Sequence, residues 1–327
     1  MPNPTSSDVH VSAPLTNMSV AYFQDAKNFI ADKVFPFVPS TFQGDLYYKW
    51  SLDDMNREDV RERAPGTESA GGGFSLTTDS FFCKVYALHK DIAEEHRKNA
   101  DRVIDLDQSA VRYITQQLAI KRDRLWAASY FKTGVWTGAD LDATTGSPVV
   151  GTSFKRWDVA GSTPIDDVDY YRESVAEKTG YLPNTLVLHP AVFRALKNHA
   201  DILDRIKYTS ADTITPDMLA RLFEVERILI GRAFYNTSKE GNATQTKSFI
   251  LGKHALLCYS APSPGLEEPS AGYTFGWTGM EGAGHFGIRM KTIPAPLLNS
   301  ERIEGDMAVD MKLVAADLGA FFENAAA

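Results

Sequence analysis

Seven histidines, two cysteines and one glycine-rich match are the residues in this chain whose types and spacing could do chemistry. The histidines are His10, His89, His96, His189, His199, His254 and His285. None stands in H-E-x-x-H, the spacing that sets two imidazoles on one helical face around zinc. His89, Glu94, Glu95 and His96 lie close in sequence but lack that one-face spacing, so they read as a solvated polar stretch and no metal site is expected. Gly282-Ala-Gly284-His-Phe-Gly287 matches G-x-G-x-x-G, with Glu301, Glu304 and Asp306 downstream. That fingerprint works only where the glycines turn a strand into a helix whose N-terminus holds pyrophosphate. Here Pro294 and Pro296 follow and no helical stripe does, so a turn between strands is expected and no cofactor. Cys83 and Cys258 are too few for a disulfide framework or a cysteine-rich zinc site and read as small buried apolar residues. There is no G-x-S-x-G elbow and no phosphate-binding glycine loop ending in Lys-Ser/Thr. The acid pairs Asp53-Asp54 and Asp166-Asp167 are accounted for by turns and helix caps. Nothing in the sequence asks to be an active site, and the chain reads as a non-enzyme.

Composition narrows the class further. The 327 residues carry 34 Lys+Arg against 42 Asp+Glu, a formal charge of −8, with 43% hydrophobic and 23% charged residues. These are globular proportions, with neither collagen-like nor broadly disordered bias. An acidic chain whose basic residues are mixed with acids is a poor candidate for gripping nucleic-acid phosphates. No apolar run approaches the ~20 residues that span a bilayer, and no secretory signal is read, so a soluble cytosolic protein is expected and the three N-x-S/T matches are taken as chance.

The elements that would carry such residues come in an unusual order. Residues 1–16 are polar and Pro/Ser-rich; Tyr22, Ala26, Phe29 and Ile30 then hold a helical spacing until Pro36 and Pro39. Leu46–Leu52 and Ser80–Leu88 are rich in strand formers. Between them a long connection holds the run Arg57-Glu58-Asp59-Val60-Arg61-Glu62-Arg63 and then Gly71-Gly72-Gly73. A loop of that length without its own core suits a partner-facing role. Gln108–Lys132 reads as one helix, capped by Asp105 or Asp107, with a stripe of Val111, Ile114, Leu118, Leu125 and Ala128 and a stop at Gly134. At ~1.5 Å per residue it is a rod of roughly 37 Å, a structural spine. A Gly/Thr/Ser-rich stretch over 137–163 leads into an α/β block over about 160–275. There Thr163-Pro164 opens a helix that stops at Gly180; strand 184–189, helix 190–199, helix 215–223 and strands 225–231 and 249–259 follow. Ile288–Ile293 and Met307–Val314 read as closing strands interrupted by Pro294 and Pro296.

That order, with Ala31-Asp-Lys-Val-Phe-Pro-Phe-Val-Pro39, Asp105-Leu-Asp-Gln108, Thr115–Arg122, Trp126–Phe131, Thr133-Gly-Val-Trp136, Thr179–Leu188 and Arg227-Ile-Leu-Ile-Gly231, resembles the major capsid proteins of tailed bacteriophages with the Hong Kong 97-type fold. The resemblance covers most of the chain as a pattern of segments. It implies an α+β fold: an N-terminal arm (1–43), an extended hairpin loop (44–90), a peripheral domain with the spine helix (91–160, completed by 285–327) and an axial domain (161–284). It implies self-assembly into hexamers and pentamers of an icosahedral phage head around double-stranded DNA, built in the host cytoplasm. Separate scaffolding, decoration and portal proteins are possible partners, and DNA would be enclosed without sequence-specific binding. Arm and loop residues Tyr22, Phe29, Phe35, Tyr47 and Trp50, with the charged Arg57, Glu58, Arg61, Glu62 and Arg63, are then expected at contacts between subunits. Lys49 and Lys84 lie near the loop, but no matching acceptor and acid motif is found, so no covalent crosslink is carried over. An encapsulin-type compartment shell shares the fold and is the alternative, with a cytosolic α/β enzyme behind it.

Overall fold

The computed structural model describes residues 24–50, 52–99, 105–206, 214–242, 244–265, 268–280, 283–284 and 287–327, with only the backbone of Trp50. In chain order it contains α1 (Ala31–Val34), β1 (Phe37–Ser40), β2 (Gly44–Trp50), α2 (Leu52–Met55), β3 (Leu76–Phe82), β4 (Lys84–Ala93), α3 (Glu94–Asn99) and the spine helix α4 (Leu106–Tyr130). Next come β5 (Ala139–Thr144), β6 (Ser153–Lys155), α5 (Pro164–Thr179), β7 (Thr185–Leu188), α6 (Pro190–Lys197), α7 (Ala200–Ile206), α8 (Pro216–Leu222), β8 (Arg227–Ile230), β9 (Phe234–Asn236) and β10 (Lys247–Phe249). The chain closes with β11 (Ala255–Cys258), β12 (Gly272–Trp277), β13 (Ile288–Ala295), β14 (Ser300–Leu313) and β15 (Gly319–Phe322).

Two sheets organise these elements. One has the order β1-β12-β14-β13, with β4 also paired to β14; the other has the order β6-β5-β15-β11-β7-β8. In the six-stranded sheet Leu186, Leu188, Leu257 and Phe322 face one core, with Val168, Tyr171 and Val175 of α5. The alternate residues Val187, Leu256 and Phe321 face a second core containing Ile30, Phe35, Trp126 and Phe131. Burial on both faces is why β7 and β11 are short continuous apolar runs rather than alternating ones. Helix α5 begins with Pro164 at its first position and ends at Gly180, whose φ of 78° is the left-handed cap that glycine takes at least cost.

The spine helix lies across the five-stranded sheet, where Ala110, Ile114 and Leu118 pack with Ile92, Ile303, Met307 and Val309. Gly305 makes this close approach possible: a Cβ there would stand 2.5 Å from Cγ2 of Ile114. The buried stripe is Ala110, Ile114, Leu118, Arg122 and Trp126, a strict i+4 row. It differs from the expected stripe, which shared only Ile114 and Leu118. Val111 and Leu125 are half-buried and Ala128 is exposed, because the packing face carries an arginine that an apolar count passes over.

Other expectations are corrected as well. The strand expected over 80–88 is two, broken at the buried Cys83. The strand expected over 249–259 is likewise two, β10 and β11. Pro294 does not interrupt β13, because its pair Glu301 lies on β14 and the strand's other edge is unpaired in the sheet order. Sheet membership cuts across the expected domain ranges: β5, β6 and β15, expected in the peripheral part, belong to the six-stranded sheet, and β12, expected in the axial part, belongs to the five-stranded one. The arm is partly built in, since β1 pairs in parallel with β12 from Phe37↔Thr274 to Ser40↔Trp277.

Candidate assembly surface

Strands β2 and β3 form a two-stranded antiparallel hairpin, in register from Gly44↔Phe82 to Trp50↔Leu76. Because side chains alternate across a strand, Asp45, Tyr47 and Lys49 share one face with Phe81, Asp79 and Thr77. That face is tied to the body and to itself. Phe81 stacks on Phe275 at 4.2 Å between ring centroids, and the Tyr47 ring lies 5.4 Å from Phe275. The Tyr47 hydroxyl donates to Asp79 Oδ2 at 2.9 Å, and Lys49 Nζ meets the same oxygen at 3.1 Å. The backbone N–H of Ser80, then the Lys49 ammonium, hold the Asp79 carboxyl below its ordinary range, while burial and Asp79 raise the Tyr47 phenol above its own. The N–H of Phe82 donates to Asp310 of β14 at 3.0 Å, anchoring the hairpin base.

The opposite face is apolar and points outward. Leu46 (60% exposed), Tyr48 (57%), Leu76 (44%) and Phe82 (57%) stand on it together. Beyond the strands, Asp54 accepts from the N–H (3.0 Å) and hydroxyl (2.6 Å) of Ser75, closing the neck of the loop. The tip beyond the neck has no regular structure past α2, and Arg57, Glu58, Arg61, Glu62 and Arg63 are all exposed on it, with Arg57 3.5 Å from Asp54. Val60 (87%) and Phe74 (58%) add apolar surface there. A charged, apolar-studded excursion of this kind carries no core of its own.

The arm residues behave differently. Phe29 and Phe35, expected to dock on a neighbour, are buried inside their own chain. Phe35 packs edge-on against Trp126 at 6.0 Å and 4.9 Å from Tyr130, so its surface is already spent on the second core. Tyr22 lies outside the described residues, as does the Trp50 side chain. A buried polar clasp, which sequence reasoning missed, holds this part of the arm. Asp123 on the spine helix accepts from the N–H of Ile30 at 2.9 Å and of Ala31 at 3.4 Å, at the start of α1. Burial pushes its carboxyl up to about 6, against the pull of the neighbouring Arg122 and the two N–H groups. From the other side, Arg227 donates to the Lys33 carbonyl (2.9 Å) and to the hydroxyls of Thr185 and Ser260 (each 3.0 Å). The only sequence signal for this clasp is Arg122-Asp123 interrupting the row that ends in Trp126.

Two of the groups whose types could do chemistry meet through the backbone, the His189 N–H donating to the His254 carbonyl at 3.4 Å, and His199 Nε2 lies 3.0 Å from the Ser162 hydroxyl. Gly287, with φ of 59°, leads directly into strand β13, so among the described residues no helix follows the glycines; residues 281–282 and 285–286 lie outside the described set. His89 sits on β4 and His96 on α3. Nδ1 of His189 accepts the Ala191 N–H at 3.0 Å as the cap of α6, and Nδ1 of His254 accepts the Asn324 N–H at 2.9 Å. Burial lowers both imidazoles, His189 to about 4. Cys83 and Cys258 are both buried, with their thiols pushed up to about 11 and about 12 mainly by desolvation. Among the described residues no group of three or more His, Cys, Asp or Glu could hold a metal ion, and no helix is long and apolar enough to cross a membrane.

Residues 140–266 match the family described as phage major capsid protein E. The major capsid protein of Burkholderia phage BcepMu is 23% identical over 269 residues, covering 81% of this chain and 82% of the relative. That of Pseudomonas phage JBD67 is 26% identical over 326 residues, covering 97% of each. Among solved structures, a phage-related protein from Bordetella bronchiseptica RB50 superposes with a TM-score of 0.68 at 24% identity, over 93% of this chain and 94% of that one. The capsid of a native GTA particle gives 0.58 at 11% identity, over 97% and 96%. These structural likenesses concern the fold, and they place the two sheets, spine helix and excursion of this chain in the Hong Kong 97-like class.

Proposed function

We infer that this chain, a phage major capsid protein with the Hong Kong 97-like fold, closes its shell through the outward face of the β2–β3 hairpin. The observation that carries this is the set Leu46, Tyr48, Leu76 and Phe82, roughly half-exposed on one side of a hairpin whose other side is bonded to its own subunit. Fully burying such a side chain is worth roughly 1.5–3 kcal/mol, so the exposed half of four gives about 4 kcal/mol per hairpin before ordering costs. One such contact is weak, but a shell repeats it at every subunit and the sum is large. Tyr47 then supports the hairpin from within the subunit. Arg57, Glu58, Arg61, Glu62 and Arg63 serve as exposed charges that set register on the neighbour, where charge complementarity selects orientation more than it adds affinity. Hexamers and pentamers of an icosahedral head enclosing double-stranded DNA are the assembly this reading favours, with assembly in the host cytoplasm and with scaffolding, decoration and portal proteins as separate partners. The net charge of −8 supports a container that encloses DNA without a phosphate-gripping face.

Electron microscopy of the purified full-length chain tests it, beside the variant Leu46→Lys/Tyr48→Lys. The wild type is expected to form closed shells, and the variant to stay as small oligomers with unchanged circular dichroism and melting temperature. Shells from the variant at wild-type yield would overturn the role of this face. A monodisperse wild-type monomer under all assembly conditions would overturn the shell itself.

A further inference from the structure

The spine helix carries a row of cations on its solvent side. Tyr113, Gln117, Lys121 and Arg124 follow one another at the spacing of one helical face, and Tyr113, Lys121 and Arg124 are exposed. Aromatic rings hold the cations in place. The Lys90 ammonium of β4 stands 5.9 Å from the Tyr113 ring centroid, that of Lys121 5.1 Å from Tyr86, and the Arg124 guanidinium 4.3 Å from Tyr235. A long side chain fixed in this way loses less freedom when an anion arrives at its open side. Among the described residues none of the three is ion-paired, whereas on the other face of the same sheet Arg289, Lys291 and Arg302 each meet a carboxylate at 2.7 Å. The row is a patch of positive sign on a chain of net charge −8.

Helix α5 presents the complement. Asp166, Tyr170, Glu173 and Glu177 are all exposed and stand on the side opposite the buried Val168, Tyr171 and Val175. Among the described residues Asp166 is ion-paired only to Arg205, at 3.9 Å, and Glu173 and Glu177 are not ion-paired. The stripes match in length: Tyr113 to Arg124 and Asp166 to Glu177 each run roughly 17 Å along a helix, at ~1.5 Å per residue. They cannot meet within one chain. Helix α5 packs on the face of the six-stranded sheet that carries Leu186 and Phe322, and the Trp126 end of the spine helix on the face that carries Val187 and Phe321. We propose that the acidic face of α5 on one copy docks on the cation row of a second copy, Glu173 and Glu177 meeting Lys121 and Arg124, and Asp166 meeting Lys90. Two unlike patches on opposite sides of a subunit make a head-to-tail contact, the kind that repeats around a ring. Acid on acid or cation on cation is repulsive, so the same charges select against a two-fold pairing. The inference rests on the shell reading and adds to it a contact distinct from the β2–β3 hairpin.

A charge swap in the full-length chain tests it. Lys121→Glu/Arg124→Glu and Glu173→Lys/Glu177→Lys are each expected to lower the yield of shells in electron microscopy at least tenfold, and the chain carrying all four changes to recover at least half of the wild-type yield. Wild-type yield from either double variant would overturn the proposal while leaving the shell reading intact. Loss with the Lys121/Arg124 variant alone, or loss without recovery in the fourfold variant, would assign the cation row to a separate anionic partner, nucleic acid or protein, and would equally overturn it. A wild type that stays monomeric would remove the shell reading and this contact together. A second measurement needs no variant and stays decisive if one misfolds. A carbodiimide, which joins an amine to a carboxylate in direct contact, is applied to shells grown from mixed light and heavy-isotope chains. Amide links from Lys121 to Glu173 or Glu177 between light and heavy chains are expected in peptide mass spectrometry, and links to neither would overturn the proposal.

Discussion

Asp123→Asn isolates the energetics of the buried arm clasp. In the wild type the carboxyl is almost fully buried and its pKa is raised to about 6 from 3.8, chiefly by desolvation. A pKa that is higher in the folded state means that the folded state binds the proton more tightly. The stability this group contributes is therefore fully present below about pH 3.8 and is lost as pH rises through about 6. Every pH unit separating the folded and unfolded pKa corresponds to about 1.4 kcal/mol, so the loss amounts to about 3 kcal/mol across that window. The amide of Asn does not titrate, yet it keeps the shape and one acceptor oxygen for the Ile30 N–H, the shorter of the two bonds. The wild type should thus lose about 2.4 kcal/mol of this relative to Asp123→Asn between pH 4 and pH 7, with almost no further change above. Urea unfolding of both chains, held unassembled, at half-unit steps from pH 4 to 8 measures the difference directly, since every other group is common to both chains and cancels. Two parallel curves, with a difference constant to within about 0.5 kcal/mol, would refute the dominance of desolvation at this site. Asp123→Ala, which removes both acceptors, should cost about 1–3 kcal/mol and speed hydrogen exchange over residues 30–35.

Three further outcomes follow from the packing. The His189 imidazole, lowered to about 4 from 6.5, contributes stability that is present above about pH 6.5 and lost as pH falls through about 4; His189→Asn keeps a cap on α6 and should flatten that acid loss in thermal melts. Gly305→Val drives a side chain into Ile114 and Met290 and should destabilise by about 1–3 kcal/mol, read as a lower urea midpoint. Cys83 and Cys258, buried with raised thiols, should resist a thiol reagent in native buffer and react at the rate of unfolding in denaturant.

Much of the architecture was legible because local signals agreed with one another. Asp105 caps the spine helix through bonds to the N–H groups of Asp107 and Gln108, and the helix spans Leu106–Tyr130 against an expected 108–132. Pro164 and Gly180 bracket α5 as their backbone preferences require. Strand β15 escaped notice because Gly319–Phe322 is four residues long and has no flanking pattern; it exists because β11 and β5 offer it partners on both edges. Of the residues proposed for assembly, the exposed charges Arg57 to Arg63 were visible as a run, whereas Leu46, Leu76 and Phe82 were not singled out. Which face of a hairpin is outward depends on what packs on the other face, and here Phe275 and Asp310 come from more than 190 residues away in sequence.

The sequence by itself determined the order of parts, the spine helix, the capped helices of the α/β block and the absence of any short catalytic motif, because each is written in neighbouring residues. Only the tertiary structure decided the rest. Phe29 and Phe35 are equally apolar in either role, but chain packing closes Trp126 and Tyr130 over Phe35 and buries both, while leaving Leu46 and Tyr48 open. Arg122 and Asp123 read as ordinary surface charges until the arm folds across them and its N–H groups find the carboxylate. Period and propensity act within a few residues, whereas burial is a property of what arrives from elsewhere in the chain, and that arrival separated the apolar residues packed inside this subunit from those left exposed on it.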